Sequence, residues 1–325
     1  MTQATGIVII GRNEGERLVR AIESATRFCR AVVYVDSGST DGSVIEAARR
    51  NVAVVELDMQ RPFTAARARN AGFRKLKTLF PETEFVQFLD GDCEFIDGWL
   101  ESALQAMQGH TDAGIICGQL KERHPERSIY NTLCDIEWNG AVGNVKECGG
   151  IFMIRADLFD ALNGFRESLI AGEEPELCLR VRRAGYSVVR IEHEMAWHDA
   201  NILFFSQWWK RAFRAGHAYA EGARLHGASP EKHWVKEVRS NWFWGAGLPV
   251  IAMSAWLSPP MMLLALAYPL LMIKIYRHAH LHRTSRERRL FAFYCVAAKL
   301  PQMLGQLKFH LNSMSGKTSR LIEYK

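Results

Sequence analysis

Short apolar runs and longer amphipathic stretches alternate through the first half of the chain. Residues 6–10 (GIVII) are apolar and β-branched, and an amphipathic stretch follows at 14–27. The pairing repeats at 31–35 (AVVYV) with 41–50, at 52–57 (VAVVEL) with 63–79, and at 85–89 (FVQFL) with 97–107; 113–117 (AGIIC) reads as one more strand. Nearly continuous apolar strands separated by helices predict a mostly parallel sheet buried on both faces, that is, a doubly wound α/β domain. Such sheets bind ligands beyond the carboxyl ends of their strands. Polar and charged residues collect at those ends here: Arg12, Asn13 and Glu14, then Asp36, Asp58 and Asp90.

The pattern loosens over 121–147 and becomes regular again at 149–155 (GGIFMIR), a strand followed by a helix ending near Gly164. A further helix is predicted from Glu173 to Ala184, with Gly185 as its stop, and a last strand at 186–191. Residues 1–200 are therefore expected to form the catalytic domain.

The remainder is of another kind. Residues 201–239 read as an amphipathic helical segment, with aromatics and bases interleaved at 204–214 (FFSQWWKRAFR). Residues 240–273 contain no charged residue, and Pro259 and Pro260 divide them in two. About 20 apolar residues cross a bilayer as a helix, so each half is near the lower limit. Basic residues stand on both sides: Lys236 and Arg239 before, and Lys274, Arg277, Arg283, Arg286, Arg288 and Arg289 after. Positive flanks favour the cytoplasmic side, which predicts a hairpin at 240–276, embedded or lying in the interface, followed by a basic helix and tail at 277–325. Trp242, Trp244, Trp256 and Tyr268 suit that boundary, and the competing reading is a buried hairpin of a soluble domain.

Composition narrows the partners. The 325 residues are 48% hydrophobic and 23% charged, enough for one large domain or two modest ones. The net charge is +6, and anionic lipids explain it better than nucleic acid, because no zinc-finger, RNA-recognition or Arg-rich arm pattern occurs. The seven cysteines include no Cys-x-x-Cys pair and read as thiols in a reducing compartment. No secretory signal pattern is visible at the first residues, and the basic flanks of 240–273 lead to the expectation of a chain on the cytoplasmic face of the inner membrane, peripheral or shallowly inserted.

The chemistry centres on Asp90-Gly91-Asp92, directly after a strand and with Glu94 nearby. Two carboxylates one residue apart can share a hard divalent cation, Mn2+ or Mg2+, and leave positions open for phosphate oxygens. Residues 7–16 (IVIIGRNEGE), 32–43 (VVYVDSGSTDGS), 68–72 (ARNAG), 149–165 and 172–180 (GEEPELCLR) occur in order around it. In that order they resemble the motif series of the family 2 glycosyltransferases, of the bacterial membrane-associated type, over roughly 6–200. The resemblance implies a GT-A fold, a nucleotide-diphosphate-sugar donor and inversion at the anomeric carbon by single displacement. It also implies that Asp92, Asp90 and His198 hold the metal, with His193 a weaker candidate. Arg12, Asn13, Glu14, Asp36, Arg69 and Gly150 are then expected around the donor, and Arg211 or Arg214 near the diphosphate.

The family's acidic motif places an Asp after Glu, whereas this chain has Glu173-Glu174. Glu174 is the expected base by position, with Glu173 and Glu176 as rivals. Against ligand binding by Asp36 stands turn capping, the role assigned to Asp41. The expected reaction transfers one sugar to a lipid-linked or glycan acceptor. Two alternatives are a sugar-phosphate nucleotidyltransferase, whose phosphate loop 11–15 (GRNEG) does not supply, and a non-catalytic scaffold of the same fold.

Overall fold

The computed structural model describes residues 5–255, 259–279 and 283–316. Trp256 and the tail beyond 316 lie outside the described residues. Two compact units divide the chain: residues 1–123 with 137–200, and residues 124–136 with 201–325.

The first unit is built on a sheet with nine strands among the described residues: β1 (Thr5–Gly11), β2 (Val32–Asp36), β3 (Ala53–Glu56), β4 (Phe85–Asp90), β5 (Cys93–Phe95), β6 (Ala113–Glu122), β7 (Gly143–Asn144), β8 (Phe152–Arg155) and β9 (Ser187–His198). Their order is β3-β2-β1-β4-β8-β6-β9-β5, with β7 also against β9. Six strands share one direction, since β1–β2, β1–β4, β2–β3 and β6–β9 pair in parallel, and β8 runs antiparallel to both β4 and β6. Helices α1 (Glu16–Thr26), α2 (Ser43–Arg49), α3 (Ala65–Leu79), α4 (Trp99–Gly109), α6 (Ala156–Ala161) and α7 (Glu173–Arg183) connect them; α5 (Ile129–Trp138) begins in the second unit.

The apolar runs are explained by two cores, one on each face. Ile7, Ile9, Val32 and Tyr34 pack with Leu18 and Ile22 of α1 and with Trp99 and Met107 of α4. Val8, Ile10, Val33 and Val35 point the other way, toward Phe73 and Leu76 of α3, Phe159 of α6 and Leu177 and Val181 of α7. Alternate residues of β1 and β2 thus bury against opposite helix layers. Gly72 permits this on the α3 side, because a Cβ there would lie 2.3 Å from Val8 Cγ1.

Three features depart from the simple βαβ expectation. β8 is reversed. β9 continues seven residues beyond the predicted end, to His198, and the loose segment contains α5 and β7.

The second unit is helical: the start of α5, then α8 (Phe205–His226), α9 (Val235–Ala255), a 3-10 turn (Pro259–Leu266), α10 (Ala267–His278), α11 (Ser285–Ala297) and α12 (Lys299–Met314). α8 and α12 meet at backbone distance, because a Cβ at Gly216 would lie 1.9 Å from the Gln302 carbonyl and one at Gly305 2.0 Å from that of Phe213. Tyr130, Trp208 and Tyr294 form an aromatic cluster joining α5, α8 and α11. No described helix is long and apolar enough to cross a membrane. The physical reason is local. α9 begins with Lys236, Glu237 and Arg239 and contains Pro249, and the twelve residues of α10 reach only about 18 Å at 1.5 Å per residue.

Candidate active site

Because six strands point one way, their carboxyl ends bring Gly11, Asp36, Asp90, Glu122 and His198 to one edge of the sheet. Asp90 ends β4, and the chain turns at Gly91, whose N–H donates to the Ile10 carbonyl at 2.7 Å. It then enters β5, where Cys93 is in register with His198 on antiparallel β9. That register sets His198 beside Asp92, Nε2 to Oδ2 at 3.5 Å. His198 Nδ1 lies 3.7 Å from the Glu122 carboxylate, and its ring meets the edge of Trp138 with centroids 4.2 Å apart.

One ligand atom each from Asp92, Cys93 and His198 lie within 4.8 Å of one another. A carboxylate and an imidazole at that spacing fit a divalent ion, and Asp90 stands two residues from Asp92. His193 does not join them: its Nδ1 is 2.7 Å from the Glu194 carbonyl and its ring packs on Trp99.

Arg69 ties the strand edge to α7. It is only 3% exposed, and it donates to Asp90 Oδ1 at 2.7 Å and to Glu173 Oε1 at 2.9 Å. Burial opposes its charge, but the two carboxylates outweigh that and hold its pKa above the usual arginine value. Gly150 faces this bridge; a Cβ there would lie 2.6 Å from the guanidinium and 3.0 Å from Asp90 Oδ2. Neighbouring Asn70 fixes the approach to α7, donating to the Phe165 carbonyl and accepting from the Phe165 N–H, both at 2.8 Å.

The three glutamates opening α7 have distinct surroundings. Glu176 is a structural ion pair, gripped by the Arg180 guanidinium at 2.8–3.1 Å and 1% exposed. Glu173 belongs to the Arg69 bridge. Glu174 is buried, and its Oε1 accepts from the Cys148 N–H at 2.6 Å and from the Cys148 and Cys178 thiols at 3.1 and 3.0 Å. Its Oε2 accepts no hydrogen bond among the described residues. Burial raises the Glu174 pKa above the ordinary carboxylate range, only partly offset by those donors.

Around the first two strand tips, the loops hold each other. Asn13, at φ 55°, accepts from the Thr40 N–H at 2.7 Å, and its own N–H donates to Ser39 Oγ at 2.9 Å. Asp41 accepts from the Gly15 and Ser43 N–H groups, the capping expected of it. Asp36 proves to have both oxygens engaged, Oδ1 with Tyr34 Oη at 2.8 Å and Oδ2 with the Gly38 and Ser39 N–H groups at 2.9 and 2.8 Å. In this geometry Asp36 shapes the loop, so the turn-forming role describes the bonds it makes. Arg12 lies over the Phe63 ring at 4.6 Å, and Glu14 pairs with Arg17 at 2.7 Å. Arg211 and Arg214 are half-buried positions of α8 in the second unit. Cys148, Cys178, Asn70 and Glu122 are not among the expected site residues, although Asn70 lies within the 68–72 motif and Cys178 within the 172–180 motif.

A mostly parallel sheet with one reversed strand, and with acids and a histidine at its carboxyl edge, is a doubly wound α/β arrangement with its candidate site at that edge. Residues 6–160 match the model of the family described as Glycosyl transferase family 2. Glycosyltransferase AglE of Haloferax volcanii is 26% identical over 227 residues, 65% of this chain and 71% of that protein. Among solved structures, the mannosyltransferase PcManGT from Pyrobaculum calidifontis, in complex with GDP-Man and Mn2+, superposes with a TM-score of 0.66 at 16% identity. It covers 95% of this chain and 87% of its own. S. aureus TarS gives 0.50 at 16% identity over 74% of this chain and 43% of that one. The match over residues 6–160 and the likeness to a curated glycosyltransferase mark the chain as a glycosyltransferase.

Proposed function

We propose that the chain transfers a single sugar from a nucleotide-diphosphate sugar to a hydroxyl of a lipid-linked or glycan acceptor, with inversion, by one displacement. The observation that carries this reading is the convergence of Asp90, Asp92, His198 and the start of α7 at one sheet edge, bridged by Arg69. Asp92, His198 and Asp90 would hold a divalent cation, Mn2+ or Mg2+, which when bound supplies charge stabilisation for the leaving diphosphate. The similar mannosyltransferase was solved with GDP-Man and Mn2+, which supports that donor and metal class. Arg12, Asn13, Glu14 and Asp36 form the loops on which the nucleoside would rest.

Glu174 takes the acceptor proton. One of its oxygens is anchored and the other accepts no hydrogen bond among the described residues, and burial makes it a stronger base than an ordinary carboxylate. Glu173 is less suited, because the Arg69 guanidinium holds it as an ion pair. Arg69 keeps the acceptor-side acid and the donor-side acid at a fixed separation.

Work at the cytosolic face of a membrane, as a peripheral protein on anionic lipids, is supported by the side chains of the second unit. Phe243, Val250 and Met253 of α9, and Leu263, Leu264 and Leu270 after it, are each more than half exposed. Exposed apolar residues beside the basic flanks suit an interfacial surface.

The test is a panel of GDP- and UDP-sugars with a lipid-linked acceptor extract and Mn2+ or Mg2+. Donor-dependent transfer that Asp92→Asn and Glu174→Gln abolish is the expected result. Consumption of no donor, or full activity of Asp92→Asn, would overturn it.

A further inference from the structure

We infer that the thiols of Cys148 and Cys178 are positioning groups for the base, holding the Glu174 carboxylate by its inner oxygen so that the outer one faces the acceptor; the inference rests on the base assignment above.

The two cysteines are 30 residues apart and come from different elements. Cys178 stands one turn after Glu174 on α7 and donates back to Oε1 at 3.0 Å. Cys148 precedes reversed β8 and supplies two donors to the same oxygen, its N–H at 2.6 Å and its thiol at 3.1 Å. The sulfurs lie 3.5 Å apart and are each at most 5% exposed. One oxygen thus receives donors from two separate elements. Rotation of the carboxylate away from the site breaks three hydrogen bonds in a buried setting, where unmade bonds are most costly.

Thiols suit this place better than a Lys or Arg would. A cation there would form a salt bridge and weaken the base. A thiol donates a weak hydrogen bond without charge. Burial, with Glu174 and Cys117 adding to it and the Cys148 hydrogen bond opposing, pushes the Cys178 pKa up to about 12; burial, with Cys117, Cys178 and Glu174, holds that of Cys148 well above its usual value. Both therefore remain S–H donors across the working pH range. The same protonation makes them poor nucleophiles, which argues against a redox switch, since the thiolate is the reactive form. Glu173 is the further charged group facing Glu174, and its negative charge acts with burial to raise the base.

The experiment compares Cys148→Ala/Cys178→Ala, Cys148→Ser/Cys178→Ser and Glu174→Gln in the full chain, reading kcat, donor KM and the pH profile of kcat. Loss of both thiol donors should lower kcat about tenfold or more, with donor KM within about twofold. It should also move the acid limb of the profile to higher pH, because donors that favour the ionised carboxylate are gone. The serine pair, whose hydroxyls still donate, should recover most of the rate. Thermal unfolding and nucleoside-diphosphate binding by calorimetry establish that each variant is folded; if the double alanine variant is not, Cys178→Ala alone carries the comparison. Wild-type kcat and an unmoved acid limb in the alanine variants, with Glu174→Gln inactive, would overturn the positioning role alone. An active Glu174→Gln would overturn the base assignment and this inference with it.

Discussion

Replacing Arg69 by Met keeps most of the side chain's length and removes its guanidinium. Two charge-assisted hydrogen bonds disappear, at 2.7 Å to Asp90 and 2.9 Å to Glu173. Each such bond is worth roughly 1.5–3 kcal/mol, so the gross loss is about 3–6 kcal/mol. Two effects reduce it. Burying the guanidinium carries a desolvation penalty that Met does not incur, and Asp90, with 31% of its side chain exposed, regains water when the bridge is broken. Glu173, 14% exposed, regains less. The net destabilisation should be about 2–4 kcal/mol. Urea unfolding followed by circular dichroism measures it as a shift in midpoint at unchanged slope. A double-mutant cycle with Glu173→Gln isolates the bridge, and a coupling of about 1–2 kcal/mol is expected. Arg69→Lys should recover only part of the loss, since one ammonium lacks the fork that spans both carboxylates. An additive cycle, or a single-variant loss below about 1 kcal/mol, would refute the bridge as a structural element.

Three further outcomes follow from named contacts. Gly150→Ala places a methyl 2.6 Å from the Arg69 guanidinium; unfolding measurements should show a loss of about 1–3 kcal/mol, largely absent in an Arg69→Met background. Gly216→Ala must separate α8 from α12, because its Cβ would meet the backbone carbonyl of Gln302; a loss of about 3 kcal/mol in thermal or urea unfolding is expected, more than flexible side-chain neighbours would cause. Glu174 has its folded pKa raised by burial, so the fold prefers it protonated. That preference stabilises the fold below the ordinary carboxylate pKa and is lost as pH rises through the raised value. Glu174→Gln should therefore be more stable than the wild type at pH 8, with the advantage vanishing at pH 4, and an equal urea midpoint at pH 8 would contradict the burial argument.

Residue types alone revealed much of this architecture, and the reason is periodicity. Ile7 and Ile9 serve one core while Val8 and Ile10 serve the other, which is why short β-branched runs with no polar interruption read as strands covered on both faces. Helix periods were equally plain, and α7 begins at Glu173 as expected. What the pattern does not encode is strand direction. The run at 149–155 has the composition of its parallel neighbours, yet β8 is antiparallel to both strands that flank it. The apolar pattern ends at Ile191 because Glu192, His193 and Glu194 interrupt it, although pairing with β6 and β5 carries β9 to His198. Asp36 shows a related ambiguity: a carboxylate at a strand tip has a ligand-facing and a loop-facing use, and residue type does not reveal the bonds it makes to the Gly38 and Ser39 N–H groups.

The reversal of β8 has the largest consequence for the site. In a parallel sheet the residues that follow each strand line the ligand edge, which is why Asp90 and Asp36 drew notice. A reversed strand contributes to that same edge the residues that precede it. Phe152 is in register with Phe88 near the end of β4, so the chain just before β8 lies beside the Asp90 tip. Gly150 consequently faces Arg69 and Asp90, and Cys148 reaches Glu174. Neither contact could be inferred from position along the chain, because both depend on the direction in which one four-residue strand is threaded. Strand tips bring Asp90 and Asp92 to the edge proposed for metal and diphosphate; Cys148, which holds Glu174, enters from the opposite end of β8, the strand whose direction the pattern left open.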